Sequence, residues 1–434
     1  MLQKDDVDPN GRRKDDHGLI ALIGALYVTQ GVPLGVSMVA VPTMLRQAGA
    51  SLEMIGLASL AMLPWAIKFL WAPMVDNRRG GRFGHRRSWI IPLQASLAVL
   101  MAAAGFIPLD ASGQWLLIAL VTAANIVSAT KDIATDGLAV DRLAQRGRGR
   151  SLAWANGLQV GGFAGGMFVG GPLVLIAVDW LGSPEAFLFL GLLLSLTLIP
   201  VILWREAGPL ARRAPQGASL RRFFQRPGAI IMLSVAALFH AQQMMALTLV
   251  KPWLVDIGAS ATLVAIISGV AIILLALGSG LVGGVVVSRF GIGRSAAAGL
   301  FLGWLAGSLW IGVTLLDITD PRAIVAVTAI AGIFSGVAYV AFFALFMRWA
   351  FGEQAATDFT LLQCAESCGG IVLSSAVSAA AGKLGYPAAF SLAALIGFVA
   401  LMTLLGPARR LVREASDAVA PDMFEDSAEV TMAS

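Results

Sequence analysis

The stretch W-L-L-I-A-L-V-T-A-A-N-I-V-S-A-T-K-D-I-A-T-D-G-L-A-V-D-R, Trp115 to Arg142, begins as an unbroken apolar run. It then places Lys131, Asp132 and Asp136 inside the run and ends on Asp141 and Arg142. About 20 mainly apolar residues are needed to cross a bilayer as a helix. One ionised residue at the centre of such a helix costs about 2.5–3.5 kcal/mol. Three together demand a partner, water or cargo, so this stretch reads as a spanning helix with a task.

The rest of the chain agrees with a membrane. Its 434 residues are 57% hydrophobic and only 13% charged, whereas soluble domains carry roughly a quarter charged residues. Twelve segments are predicted to span, at 18–45, 52–75, 89–107, 115–140, 151–177, 185–204, 229–254, 260–287, 295–316, 322–348, 357–381 and 386–405. They are numbered here as segments 1 to 12. The expected fold class is an all-α membrane protein of two pseudo-symmetric six-helix bundles. Its parts are an N-terminal tail (1–17), a first bundle (18–204), a central loop (205–228), a second bundle (229–405) and a C-terminal tail (406–434). The tail before segment 1 is polar and mixed in charge and shows no small-residue cleavage site, so segment 1 reads as an uncleaved insertion signal.

Basic residues follow this topology. Of the 31 Lys and Arg, 25 fall on the side of the two tails, including Arg78, Arg79, Arg82, Arg86, Arg87, Arg142, Arg146, Arg148, Arg150, Arg289 and Arg294. Four lie toward the other side (Arg46, Lys251, Arg322, Lys383), and Lys68 and Lys131 lie inside segments. The positive-inside rule therefore predicts both termini in the cytoplasm. It also accounts for the net charge of +5 without nucleic acid. Cys364 and Cys368 are four apart in an apolar run, so they share a helix face and form no disulfide framework.

An internal repeat supports the six-plus-six division. L-R-Q-A-G-A-S (Leu45–Ser51) corresponds to L-V-D-I-G-A-S (Leu254–Ser260), and D-N-R-R-G-G-R-F-G-H-R-R (Asp76–Arg87) to S-R-F-G-I-G-R (Ser288–Arg294), at nearly the same offset. Duplicated bundles are common among carriers.

Gly284-x-x-x-Ser288-Arg289-x-Gly291-x-x-Arg294 resembles the loop signature of the major facilitator superfamily, G-x-x-x-D-R-x-G-R-R. The first copy departs from it, with Ala72 and Pro73 where a Gly is expected. P-W-A-I-K-F-L-W-A-P-M-V-D-N (Pro64–Asn77), G-H-R-R-S-W (Gly84–Trp89) and the Tyr27–Gly35 stretch are similar to the branch of muropeptide permeases, acetyl-CoA transporters and RhtX/FptX siderophore transporters. Chain length favours RhtX/FptX. That resemblance implies import of a ferric siderophore across the bacterial inner membrane, with iron present only as part of the cargo and no resident cofactor. Segment 5 also resembles, in part, the G-x-x-x-G-P signature of drug–proton antiporters, so a proton-driven exporter of drugs or siderophore is one alternative. A muropeptide or acyl-CoA permease is the other.

Residue roles follow from depth. Lys131, Asp132, Asp136 and Glu366 are the expected ionic or proton-coupling core, Lys131 being the group to meet an anionic cargo. Glu366 stands as a lone acid in T-L-L-Q-C-A-E-S-C-G-G. Tyr27, Gln30, Asn156, Gln159, His240 and Gln243 are expected at the substrate cavity, His240 falling opposite Gln30 in the repeat. Asp76, Arg86, Arg87, Asp141, Arg289 and Arg294 are expected as the cytoplasmic gate, and Asp136 could serve either cavity or gate. Lys68, between Trp65 and Trp71, reads as snorkelling to headgroups, and Gly165–Pro172 as helix packing. No phosphate-binding loop or metal-ligand cluster occurs, so the reading is a secondary carrier and not an enzyme. Its partners are a small molecule, protons and the bilayer, with no nucleic acid, and it acts as a monomer.

Overall fold

With no water to pair with, a backbone inside lipid must satisfy its own hydrogen bonds, and a helix does so within one segment. The computed structural model describes residues 14–51, 54, 57–58, 60–78, 84–143, 150–204, 217–259 and 261–417. Arg79, Arg82, Arg146 and Arg148, most of the polar N-terminal tail, residues 205–216 of the central loop and the tail beyond 417 lie outside the described residues.

Among the described residues eleven helices are long and apolar enough to cross a membrane. A shorter apolar one occupies the remaining place. In chain order they are α1 (Gly18–Gln47), α2 (Leu60–Leu70), α3 (Arg87–Ala104), α4 (Ala111–Leu143), α5 (Asn156–Leu181), α6 (Ser183–Leu203), α7 (Ala229–Asp256), α8 (Gly269–Phe290), α9 (Ile292–Leu315), α10 (Pro321–Ala350), α11 (Ala355–Leu384) and α12 (Tyr386–Leu405).

Segment 2 corrects the expectation of a continuous helix over 52–75. Its described part runs through 3₁₀ turns at Leu60–Met62 and Lys68–Leu70, breaks at Trp71 and restarts as a short helix, Ala72–Asn77. Pro64 and Pro73 each sit at a helix start. A proline is accommodated there but cannot continue the preceding turn. Other helices bend without breaking: α1, α5 and α8 contain π turns at Val36–Ala40, Val169–Leu173 and Gly278–Gly283. α7 is interrupted at Phe239–His240.

The repeat is visible in backbone hydrogen bonds. After α1, the amides of Ala48, Gly49 and Ala50 bond to the carbonyls of Met44, Arg46 and Leu45. After α7, those of Ile257, Gly258 and Ala259 bond to Trp253, Val255 and Leu254 in the same pattern. Gly49 and Gly258 take φ of 82° and 80°, the left-handed turn that ends a helix and that glycine adopts without a Cβ penalty. The structure adds a third correspondence. Gly182-Ser-Pro184 opens α6 and Gly385-Tyr-Pro387 opens α12, each glycine having a positive φ.

Three hydrophobic cores form among the described residues. One draws only on the first half, from Val32 to Leu194, and one only on the second, from Ala241 to Ala393. The third joins both halves: Leu22, Ala72, Trp89 and Leu138 pack with Phe223, Phe342, Phe359 and Val412. It lies at the end that carries Asp76, Arg86 and Arg142, called the basic end below. The halves are therefore packed together there and have separate cores elsewhere.

Within the first half, α1 and α5 approach to backbone contact. A Cβ on Gly31 would lie 2.1 Å from the Phe163 carbonyl oxygen, and one on Gly166 would lie 2.0 Å from that of Val28. A Cβ on Gly165 meets nothing within 4 Å. Small residues permit such contact in lipid. Gly166→Val is expected to destabilise the protein by about 1–3 kcal/mol, the usual cost of overpacking. Gly165→Ala should stay within about 0.5 kcal/mol of wild type. Thermal unfolding of the two detergent-purified variants checks the contrast.

Candidate functional site

Helix geometry separates the charges of α4 before any partner is considered. Successive residues point about 100° apart, whereas residues four apart share a face. Lys131 and Asp132 must meet different neighbours, while Asp132 and Asp136 look the same way.

Asp132 is ion-paired with Lys68. The break in α2 puts Lys68 in a 3₁₀ turn, and its Nζ also donates to Gln363 Oε1 at 2.9 Å. Gln363 belongs to α11, so one buried cation joins an acid of the first half to an amide of the second. This corrects the snorkelling reading, because Lys68 is only 4% exposed. Trp65 Nε1 donates to Asn125 Oδ1 and Trp71 Nε1 to Thr130 Oγ1, which ties the irregular α2 to α4 on either side of Lys68.

Lys131, expected to meet an anionic cargo, is turned to neutral protein groups in this structure. It is fully buried and donates to Thr29 Oγ1 at 2.6 Å and Gln94 Oε1 at 2.7 Å. Its side chain thus points into the first half, toward α1 and α3.

Asp136, left open between cavity and gate, accepts a hydrogen bond from Tyr27 Oη at 2.7 Å and a longer one from Gln159 Nε2 at 3.4 Å. It therefore groups with the expected cavity residues and not with Arg86. Its Oδ2, the Gln159 Oε1 and both amide atoms of Gln30 are buried without a protein partner among the described residues. Gln30 is one turn from Tyr27 on α1, and Asn156, also buried, is one turn from Gln159 on α5.

Glu366 is not the lone acid that the sequence suggested. Its Oε1 lies 3.1 Å from His240 Nδ1, and Ser367 Oγ donates to its Oε2. The His240 ring sits at the interruption of α7 and stands edge-on to Tyr339 of α10. Gln243 lies apart from this group, lining a small pocket inside the second half with Lys251, Trp310 and Thr328.

At the basic end Arg86 donates to Asp76 Oδ1 and Asp141 Oδ2, both at 2.8 Å. Burial opposes its charge, yet Asp141 and Asp76 hold the guanidinium above its ordinary range. Asp76 Oδ2 accepts from Thr357 N and Thr357 Oγ1 at 2.7 Å each. Thr357 N is in the first turn of α11, where helix amides lack partners and the dipole favours an anion. Asp76 thus ties the halves.

Three expected gate residues fall elsewhere. Arg87 donates to the Val201 and Ile202 carbonyls at the end of α6, whose last carbonyls have no partner within the helix. Arg289 and Arg294 are exposed, with no ion pair among the described residues, and Ser288 stands where the first copy has Asp76. Sequence reading passed over Gln94, Gln363, Thr357, Arg222 and Arg226. Arg222 pairs with Glu353 and Arg226 with Asp358. Polar side chains within apolar runs were the available signal for the two glutamines.

The acetyl-coenzyme A transporter 1 family model matches residues 19–177. The anhydromuropeptide permease of Escherichia coli (strain K12) is 29% identical over 358 residues, covering 80% of this chain and 71% of the permease. The major facilitator superfamily transporter FucP, in its outward conformation, aligns with TM-score 0.69 at 13% identity, over 89% of this chain and 97% of its own. A bacterial homologue of the iron transporter ferroportin, in its outward-facing state, gives 0.65 at 17% identity, over 92% and 99%. The two structural likenesses show the major facilitator fold.

Breaking a buried ion pair from one side typically costs about 3–5 kcal/mol, whereas replacing both partners with apolar groups is often neutral. Lys68→Met is expected to lose stability on that scale, and Lys68→Met/Asp132→Leu to regain most of it, as read by thermal unfolding. Asp76→Ala removes the tie to Thr357 and should loosen the basic end. Cys364, buried where its Sγ contacts the Trp65 carbonyl, reports this: in a Cys368→Ser background its alkylation should speed up several-fold.

Proposed function

We propose that this chain is a bacterial inner-membrane secondary transporter that imports an anhydromuropeptide or a chemically close cargo by proton symport. The observation that carries the cargo class is the similarity to anhydromuropeptide permease across 358 residues. The match of the first half to the acetyl-coenzyme A transporter model supports the same branch. The ferric siderophore implied by general resemblance to RhtX/FptX has no such support, and the alternative stated beside it becomes the main reading.

In this reading the basic end is cytoplasmic and closed, and the cargo enters from the opposite side. Asp76, Arg86 and Asp141 form the inner gate with Thr357, and the Lys68 bridge to Gln363 is a second tie nearer the cavity. Tyr27, Gln30, Asp136, Asn156 and Gln159 supply hydrogen-bonding groups to cargo from the first half. Asp136, and Glu366 with His240, are groups that can take up a proton, and a proton and a cargo that both favour the inward-open state produce symport.

In a strain lacking its own permease, expression of the chain is expected to restore uptake of labelled anhydromuropeptide, and a protonophore to abolish it. Uptake of a ferric siderophore or an acyl-CoA in place of anhydromuropeptide would refute the cargo assignment; uptake unaffected by the protonophore would refute the coupling. Asp136→Asn, folded to wild-type yield, should lower uptake by about tenfold or more, a change of at least about 1.4 kcal/mol.

A further inference from the structure

Lys131 is fully buried, and each of its two acceptors is committed by other bonds. The Thr29 hydroxyl has acceptors for its one proton in the Leu26 carbonyl at 2.7 Å and Gln94 Oε1 at 3.3 Å, so its oxygen accepts from Lys131. Gln94 Nε2 donates to the Leu194 carbonyl and to Thr197 Oγ1 at 2.9 and 2.8 Å, which fixes its oxygen toward Lys131. The Nζ therefore meets two preset, uncharged acceptors.

Among the described residues no carboxylate is ion-paired with Lys131, whose two partners are neutral. α1 carries one charged residue, Arg46, and α6 carries Glu185, each near the helix end away from the basic end. α3 carries only Arg87, at its first residue, and α5 only Asp179. On α4 itself, Asp141 is held by Arg86, Asp136 by Tyr27 and Gln159, and Asp132 by Lys68. Arg142 adds a further positive charge at the helix end. Tyr27 is the other titratable group of α1, and its hydroxyl is committed to Asp136. A buried charge without a counter-charge is costly and tends to be neutralised.

We propose that Lys131 is a proton-binding switch of the first half, an amine while Lys68 holds Asp132 and an ammonium when the halves part at the basic end. The proton comes from hydronium and binds the Nζ lone pair. Withdrawal of α11 takes Gln363 away from Lys68, the bridge loosens, and the Asp132 carboxylate becomes the anion that balances Lys131. Proton uptake by Lys131 then favours the state opposite to the one described, which is the sign that symport requires. This inference rests on the symport reading but does not depend on the cargo.

The test follows conformation in purified protein without cargo. Spin labels at Ser112→Cys, exposed in the first turn of α4, and Thr319→Cys, exposed in the loop between α9 and α10, both away from the basic end, are placed in a Cys364→Ser/Cys368→Ser background. Their distance distribution is measured against pH. As pH falls, the long-distance population should give way to a short one. Lys131→Met should remove this transition or move its midpoint by more than about one pH unit, equivalent to a tenfold change in proton affinity. Lys131→Arg, permanently charged, should hold the short-distance population at every pH. Gln94→Leu keeps Lys131 but removes an ammonium acceptor, and should move the midpoint toward acid. An unchanged midpoint in Lys131→Met overturns the proposal; if that variant does not fold, an unchanged midpoint in Gln94→Leu does. Because no uptake is measured, a wrong cargo or protonophore-insensitive transport would refute the proposed function and leave this result standing.

Discussion

The charge of Asp132 is the constraint around which the middle of the molecule is organised. A carboxylate at that depth needs a cation, and the structure supplies one from α2. A regular helix through Pro64 and Pro73 would not leave Lys68 in the turn that it occupies. The interruption of α2 and the burial of a cation are thus one feature: backbone irregularity is tolerated in a membrane only where protein covers it, and Trp65 and Trp71 anchor both sides of it to α4. Because Lys68 also reaches Gln363, a local electrostatic requirement becomes a bond between the halves.

A second tie, at Asp76, works differently. Its carboxylate is shared between Arg86 and the start of α11, so the same anion completes a helix N-terminus in one half and a charge cluster in the other. Further polar bonds at the basic end run from Asn77 to Ala218 in the central loop and from Ser219 of that loop to Gln354. These polar bonds accompany the apolar core that joins the halves at this end, whereas the other two cores are each confined to one half.

Much of the fold was legible because lipid imposes a length on apolar runs and a sign on loops. The repeat was legible at Gly49 and Gly258, where a left-handed turn demands the same residue twice. It was missed at Gly182 and Gly385, where two glycine–proline pairs stand in otherwise dissimilar sequence. The break in α2 was legible in its prolines but lost to the apolar composition. Site geometry was less legible, since depth along a helix follows from counting and partners do not. Lys131 and Asp132 share a depth, yet neighbouring positions on a helix cannot share a partner face, so pairing them as one core overlooked their directions. Snorkelling explains most lysines near a helix end, and only Asp132 across the gap shows why Lys68 turns inward. The pairing of Glu366 with His240 is not legible in the sequence, because α7 and α11 are distant along the chain.

The two halves consequently treat protonatable groups in different ways despite their internal repeat. In the first half two acids and two lysines lie within two turns of α4 or pack against it, and a single ion pair leaves one lysine and one acid with neutral partners. In the second half one acid meets one histidine, at a helix interruption in α7 that has no equivalent in α1. In the first half the one ion pair, Lys68 with Asp132, joins α2 to α4, whereas the pair in the second half joins α7 to α11. Lys68 joins the acid of the first half to the amide of the second, so breaking the tie between the halves also disturbs the charge balance of the first.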